Sequence, residues 1–334
     1  MSVPILVRIA YRSLFNKKNN ILAGSKLLSN EKAERHSGCS FDDIELLSGY
    51  VDINAKLLDG YYTDFFGIKT PIRVVSSLAH RSGVVNTDIP VPDDSVHANT
   101  VEYCCLFDAI EQSKDTFTMF ELGAGWGPWM TCAAVACKKR GFSEINIIGV
   151  EGEANKIALI KEMLSVNGLR NDDDELSQHF GNVYSEIIHG VVTETDGTVE
   201  FPVVEIEHYG ASLLDVAAVR NHSRESVPGY SIETLIKDYP NVDFIHLDLQ
   251  GYEVEVIRAA IDAINSKVRF LCIGTHSRKI EGDLIDFLMA NDWELLRESP
   301  CMFLYGENVE ISNQLVDLTD QDGLQFWRNR RITL

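Results

Sequence analysis

The run Met119 to Trp129, MFELGAGWGPW, limits what this chain can fold into more than any other stretch. The apolar residues Phe117 to Phe120 suit a buried strand, and Met130 to Lys139, rich in alanine, suit a helix. Strand, glycine turn and helix in that order open a βα unit. Glycines at 123, 125 and 127 carry no Cβ, so the backbone can bend sharply and a ligand can lie against its amides. The stretch reads as the floor of a nucleoside-cofactor site.

Downstream the same alternation repeats. Strand patterns cover residues 144–150, 186–192, 198–204, 242–249 and 268–274, and helical patterns cover 154–166, 232–239, 254–265 and 282–291. Residues 222–230 are polar and read as a loop. Short strands are expected at 293–297, 302–305 and 323–328. Repeated strand-helix alternation calls for an α/β fold, a doubly wound Rossmann-like sheet that is mostly parallel, with an antiparallel hairpin at one edge. A helix at 101–113 leads into the first strand. Residues 1–100 are then a mainly helical N-terminal extension or cap, and 101–334 form the principal domain. In such sheets ligands sit at the carboxyl ends of the strands, at the topological switch point. The strand-end residues should therefore carry the function.

Charge narrows the ligands. A formal net charge of −20 leaves little surface to neutralise phosphates, which argues against nucleic acid as a partner. No uncharged apolar run approaches the ~18 residues of a membrane span, and the N-terminus lacks a signal-peptide core, so a cytoplasmic location with no transmembrane segment is expected. The seven cysteines form no CxxC pair and read as reduced structural thiols. Residues 1–20 carry Arg8, Arg12, Lys17 and Lys18 with no acid, and read as a helix packed on its own domain or on a second copy in a homo-oligomer, with a membrane-surface or partner helix as the alternative.

The glycine pattern is G-x-G-x-G, whereas dinucleotide-binding turns use G-x-G-x-x-G with an acid about twenty positions on. Here the next strand-end acid, Glu151, stands 28 positions after Gly123. The S-adenosylmethionine site fits better. There the glycines approach the cofactor, the first-strand acid Glu121 addresses its ammonium end, and Glu151 accepts from the ribose hydroxyls. Ala124, Trp126 and Gly152 belong to the same surface. A nicotinamide-dependent oxidoreductase of similar fold and a catalytically degenerate cofactor-binding module are the rival readings.

The segments MFELGAGWG, IIGVEGEANKIALIKEMLSVNGL, IIHGVVTETDGTVEF, VDFIHLDLQGYEVEVI and FLCIGTHS together resemble the FkbM-type S-adenosylmethionine-dependent methyltransferases, from about Phe117 to the C-terminus. The resemblance implies a class I methyltransferase sheet. It places Glu121, Gly123, Gly125 and Gly127 along the methionine side, Glu151 on the ribose, and His189, Gly190 and Val191 by the adenine. It also implies a hydroxyl acceptor on a sugar, glycan or natural product. The family commonly has Asp-x-Glu-Gly at residues 248–251, with Lys two residues before the Asp. This chain has Gln250 and His246 in place of that Glu and Lys, and keeps Asp248 and the later acid, Glu253.

Period-two alternation puts His246, Asp248 and Gln250 on one face of their strand, and three polar side chains there are costly unless paired or used. His246, Gln250 and Glu253 are expected toward the substrate. His276 ends the next strand, beside Asp248. Three readings stand for it: a general base oriented by Asp248, a hydrogen-bonding residue at a strand end, or a divalent-metal ligand shared with Asp248. The expected activity is S-adenosylmethionine-dependent O-methyl transfer, with Asp248 and His276 on the acceptor side.

Overall fold

The computed structural model describes residues 40–91, 96–97, 100–205, 209–214, 222–303 and 318–332. The basic segment 1–20, Cys39 and the second half of the strand expected at 302–305 lie outside them. The chain begins with α1 (Phe41–Ser48), β1 (Tyr61–Thr63), β2 (Lys69–Pro71), a 3-10 turn at Ser76–Leu78, β3 (Val84–Val85) and α2 (Thr100–Glu111). The glycine region follows as β4 (Thr116–Leu122) and α3 (Pro128–Arg140). Next come β5 (Glu144–Glu151), α4 (Ala154–Val166), β6 (Ser177–Phe180), β7 (Val183–His189), β8 (Val191–Val192), β9 (Gly197–Pro202) and β10 (Arg224–Tyr230). The second half holds α5 (Ile232–Ile236), β11 (Val242–Leu247), α6 (Glu253–Ala259), α7 (Ile261–Lys267), β12 (Val268–Thr275) and α8 (Arg278–Ala290). It closes with β13 (Trp293–Ser299), β14 (Met302–Phe303), β15 (Thr319–Gln321) and β16 (Gly323–Asn329).

The central sheet has the order β13-β16-β12-β11-β4-β5-β7-β6. Strands β12, β11, β4, β5 and β7 run parallel, while β16 is antiparallel to both β12 and β13. The chain winds outward from β4 through β5 to β7, then restarts on the other side of β4 at β11. The switch point therefore lies between the carboxyl ends of β4 and β11. This order is the doubly wound class I methyltransferase sheet, with β6 as an added edge strand.

Alternation along the strands divides the core into two layers. Phe117, Met119, Phe244, Phe270 and Cys272 pack with α2, α3 and α4, while Phe120, Leu122, Ile245, Leu247 and Ile273 pack with α5 to α8. Glu121 and His246 share the parity of the first set, so the sheet presents them toward α2 and α3.

Two stretches differ from expectation. Residues 224–230, read as a loop, form β10, the middle strand of a small sheet whose neighbours are β8 and β9. Its sequence, RESVPGY, offers little strand pattern of its own, and pairing with β9 along residues 197–202 supplies the order. Among the described residues from 40 to 99, α1 is the one α-helix; the rest is turn and a three-stranded sheet. The aromatic cluster there is core: Tyr62, Phe65 and Phe66 are fully buried, and Phe66 meets Tyr50 and Phe107 edge-on.

Candidate active site

A cavity of about 690 Å³ opens at the switch point, within the size range of ligand sites. Its floor is the glycine turn. Gly123 has φ +81°, and a Cβ there would lie 2.0 Å from the carbonyl oxygen of Asp248. Only glycine allows the β4 and β11 ends to approach this closely. Gly127, also at positive φ, turns its missing Cβ toward Ile160 and Met130, so it serves packing and does not line the cavity. Ala124, Gly125, Gly152 and Gly190 do line it, as does Trp126, whose buried indole N–H has no partner.

The two strand-end acids are held by backbone. Helix α3 begins at Gly127 with no side-chain cap. Glu121 replaces the cap, its two oxygens accepting from the N–H groups of Trp129 (3.1 Å) and Met130 (2.8 Å). Burial pushes this carboxyl up to about 7, against the opposing pull of His246 and the two amides. Sequence reasoning assigned Glu121 to a ligand; the geometry gives it the helix first, although it reaches the cavity wall. Glu151 accepts from Gly125 N–H (2.7 Å) and Glu153 N–H (2.8 Å), tying the glycine turn to the end of β5. His189 lies outside the cavity lining, and its ring N–H donates to the carbonyl of Gly152 at 3.1 Å.

At the other end the structure brings Asp248 and His276 together. His276 Nε2 is 3.2 Å from Asp248 Oδ1, and its Nδ1 is 2.9 Å from Glu253 Oε1. These contacts are ion pairs and not hydrogen bonds, and carboxylate oxygens this close to both ring nitrogens call for a hydrogen on each. The ring is therefore an imidazolium. Burial opposes that charge, but Glu253 and Asp248 outweigh it and hold the pKa well above 6.5. Burial likewise pushes Asp248 up, yet His276 prevails and holds it at about 2. Glu253 is fully buried and also accepts from Leu249 and Gly251 N–H, which fixes the loop after β11. Gln250, at φ +53° in that loop, donates to Asp248 Oδ1 at 2.8 Å. The side chain of Asp248 is 36% exposed and lines the cavity, while His276 is 2% exposed and stands behind it.

Asp248, Glu253 and His276 offer ligand atoms within 4.8 Å of one another. A cation there would have to displace the ring's protons and compete with two amides for Glu253 Oε1.

Beside this clamp, His246 lines the cavity at the end of β11, in register with Glu121 of β4 and Cys272 of β12. Its Nε2 is 3.6 Å from Glu102 Oε1 of α2, and its ring tilts against Trp129 with centroids 5.5 Å apart. In sequence Glu102 reads as an acid on the helix before β4 that lies over the cofactor.

The remaining walls come from parts of the chain with no strong local signal. Tyr209 to Leu213 cross the cavity. Tyr209 OH donates to the carbonyl of Val74 (2.8 Å), its ring meets Trp126 edge-on at 4.7 Å, and Ser212 Oγ donates to the carbonyl of Gln250 (2.9 Å). Lys156, buried and paired with Glu153 at 2.5 Å, places its ammonium 4.4 Å from the Tyr209 ring centre. His97 and Asp322 complete the wall. These contacts link residues up to 135 positions apart, which no short motif records.

Comparison with known proteins identifies the family. The family profile described as the methyltransferase FkbM domain matches residues 117–295, more than half of the chain. A protein of Jannaschia sp. (strain CCS1) carrying a provisional methyltransferase name is 28% identical over 253 residues, covering 73% of this chain and 85% of that protein. Among solved structures, the methyltransferase FkbM of Methylobacillus flagellatus KT aligns at 16% identity with a TM-score of 0.38, over 63% of this chain and 44% of that one. The chain thus spans under half the length of that structure. A precorrin-6Y C5,15-methyltransferase of Geobacter metallireducens GS-15 aligns at 11% identity and a TM-score of 0.39, over 72% and 96% of the two chains. With the profile covering residues 117–295, this chain belongs to the FkbM methyltransferase family.

Proposed function

We propose that the chain transfers a methyl group from S-adenosylmethionine to a hydroxyl oxygen of a sugar, glycan or natural-product acceptor, with Asp248 at the acceptor end. The observation that carries this reading is the placement of Asp248. It is a carboxylate kept ionised by a buried imidazolium and one-third exposed into a cavity whose floor is a glycine turn. When bound, the cofactor supplies an electrophilic methyl on a sulfonium, which departs as a neutral thioether with the electron pair of the broken bond.

The residues present suit that cofactor. The unpaired buried indole N–H of Trp126 needs a partner, Gly125 leaves room against the backbone, and Glu151 keeps lone pairs for ribose hydroxyls after serving two amides. Glu121, Gly123, Ala124 and Gly190 complete the wall on the cofactor side. Asp248 accepts a hydrogen bond from the acceptor hydroxyl and fixes its direction, and positioning of that kind supplies much of the rate in a displacement at a methyl carbon. His276 serves as the fixed counter-charge of Asp248, which revises the expectation that it removes the proton. The residues ahead of about 100 act as a cap, reaching the cavity through Val75, Val96 and His97, and set which acceptors fit.

A labelled-methyl screen tests the proposal, with purified chain, labelled S-adenosylmethionine and neutral glycosides, glycans and polyhydroxylated extracts. Label in an alkali-stable ether is expected. Label only on nitrogen or carbon, or none on any acceptor, would overturn it.

A further inference from the structure

The clamp on His276 leaves the acceptor's proton without a destination. Two carboxylates hold that ring protonated, and it stands behind Asp248, out of the cavity. The second imidazole differs on each count. His246 is 4% exposed, lines the cavity, and has neither ring nitrogen within hydrogen-bonding reach of a partner. Its nearest charge, Glu102, sits at an ion-pair length of 3.6 Å and leaves Oε2 unpaired as well. Two adjacent buried side chains with unused polar atoms form a costly arrangement unless a ligand completes it.

We infer that His246 is the base that receives the acceptor's proton and that Glu102 is its buried counter-charge. The inference rests on the reading that a hydroxyl is methylated in this cavity. The acceptor oxygen uses a lone pair to form the new bond to carbon, and its hydroxyl proton passes to neutral His246. That imidazole becomes an imidazolium, neutralised by Glu102, and releases the proton to solvent once the product leaves. Asp248 holds the hydroxyl meanwhile.

The groups facing His246 are Glu102 of α2, Glu121 of β4, Asp248 at the end of its own strand, Trp129 of α3 and Cys272 of β12, with Asp322 beyond Glu102. Burial favours the neutral ring, while Glu102, Glu121 and Asp248 together raise its affinity for a proton above the ordinary value. His246 differs from His276 in touching no carboxylate at hydrogen-bond distance, so it can cycle between its two forms.

The test combines a titration with kinetics on the full chain. Imidazole signals of histidine-labelled protein, assigned with His246→Gln, are followed from pH 5 to 9.5 with and without S-adenosylhomocysteine. His246 is expected to titrate once, above pH 6.5, and to titrate lower in Glu102→Gln. With an acceptor from the methyl screen, kcat of the wild type should rise with pH along the same ionisation. His246→Gln should lose about 10²-fold or more in kcat, the usual span of a lost general base, with S-adenosylhomocysteine binding retained and partial rescue by added imidazole. Failure of His246 to titrate in this range, or a His246→Gln enzyme within threefold of wild type at every pH, would overturn the inference. Loss of S-adenosylhomocysteine binding by the wild type would instead bring down the cofactor reading itself.

Discussion

His246 and His276 stand at the ends of adjacent parallel strands, each among acids, yet their surroundings differ in the ways the two proposed roles require. His276 has a carboxylate within 3.2 Å on each ring nitrogen and is sealed away from the cavity. His246 has one acid at 3.6 Å and looks into the cavity. A histidine becomes a fixed cation or a proton carrier according to how many carboxylates close on it and from which sides. Neighbouring charge alone does not decide which.

The largest expected effect comes from breaking the clamp. His276→Ala leaves Glu253 buried beside Asp248 without a cation and should lower unfolding free energy by about 3–5 kcal/mol, measured by urea titration. The pH dependence gives the sign. His276 has a folded pKa above its unfolded value of 6.5, so its contribution is complete below about 6.5 and is lost as pH rises through the folded value. Asp248 is held at about 2 against an ordinary 3.8, so its contribution is present above 3.8 and lost as pH falls toward 2. The stability gap between wild type and His276→Ala should therefore be widest between about pH 4 and 6.5. A gap that widens at alkaline pH would break the assignment of His276 as a cation.

Next in size is Glu121→Ala, which strips two amides at the start of α3 of their acceptor. A loss of about 1–3 kcal/mol is expected from thermal unfolding, the cost of leaving buried N–H groups unpaired. Unchanged stability would free Glu121 for a purely ligand-facing role. The smallest effect belongs to a pair outside both sites. Lys279 pairs with Asp283 on the exposed surface of α8, and Lys279→Ala should cost no more than about 0.5 kcal/mol.

The sheet was legible because its strands are short apolar runs between helical patterns, and the glycine turn marked the first crossover. Alternation also placed His246 and Asp248 toward one face. Less legible was what each polar residue does there. Glu121 looks like a ligand-binding acid in sequence because the uncapped helix that claims it becomes apparent only when α3 folds back over β4. His189 stands two positions from Val191, yet one carbonyl, that of Gly152, takes its ring N–H and keeps it out of the cavity. Tyr209 and Ser212 gave no signal, since each acts through a carbonyl far along the chain. Strand β10 lacked a pattern because a neighbour supplies its order.

The central claim is that S-adenosylmethionine occupies the switch point between β4 and β11, and calorimetry with S-adenosylhomocysteine and NAD tests it most directly. One S-adenosylhomocysteine per chain should bind more tightly than NAD, and Glu151→Gln should weaken it by about tenfold, the 1.4 kcal/mol of one good polar contact. Tighter binding of NAD, or an affinity for S-adenosylhomocysteine indifferent to Glu151→Gln, would contradict the account.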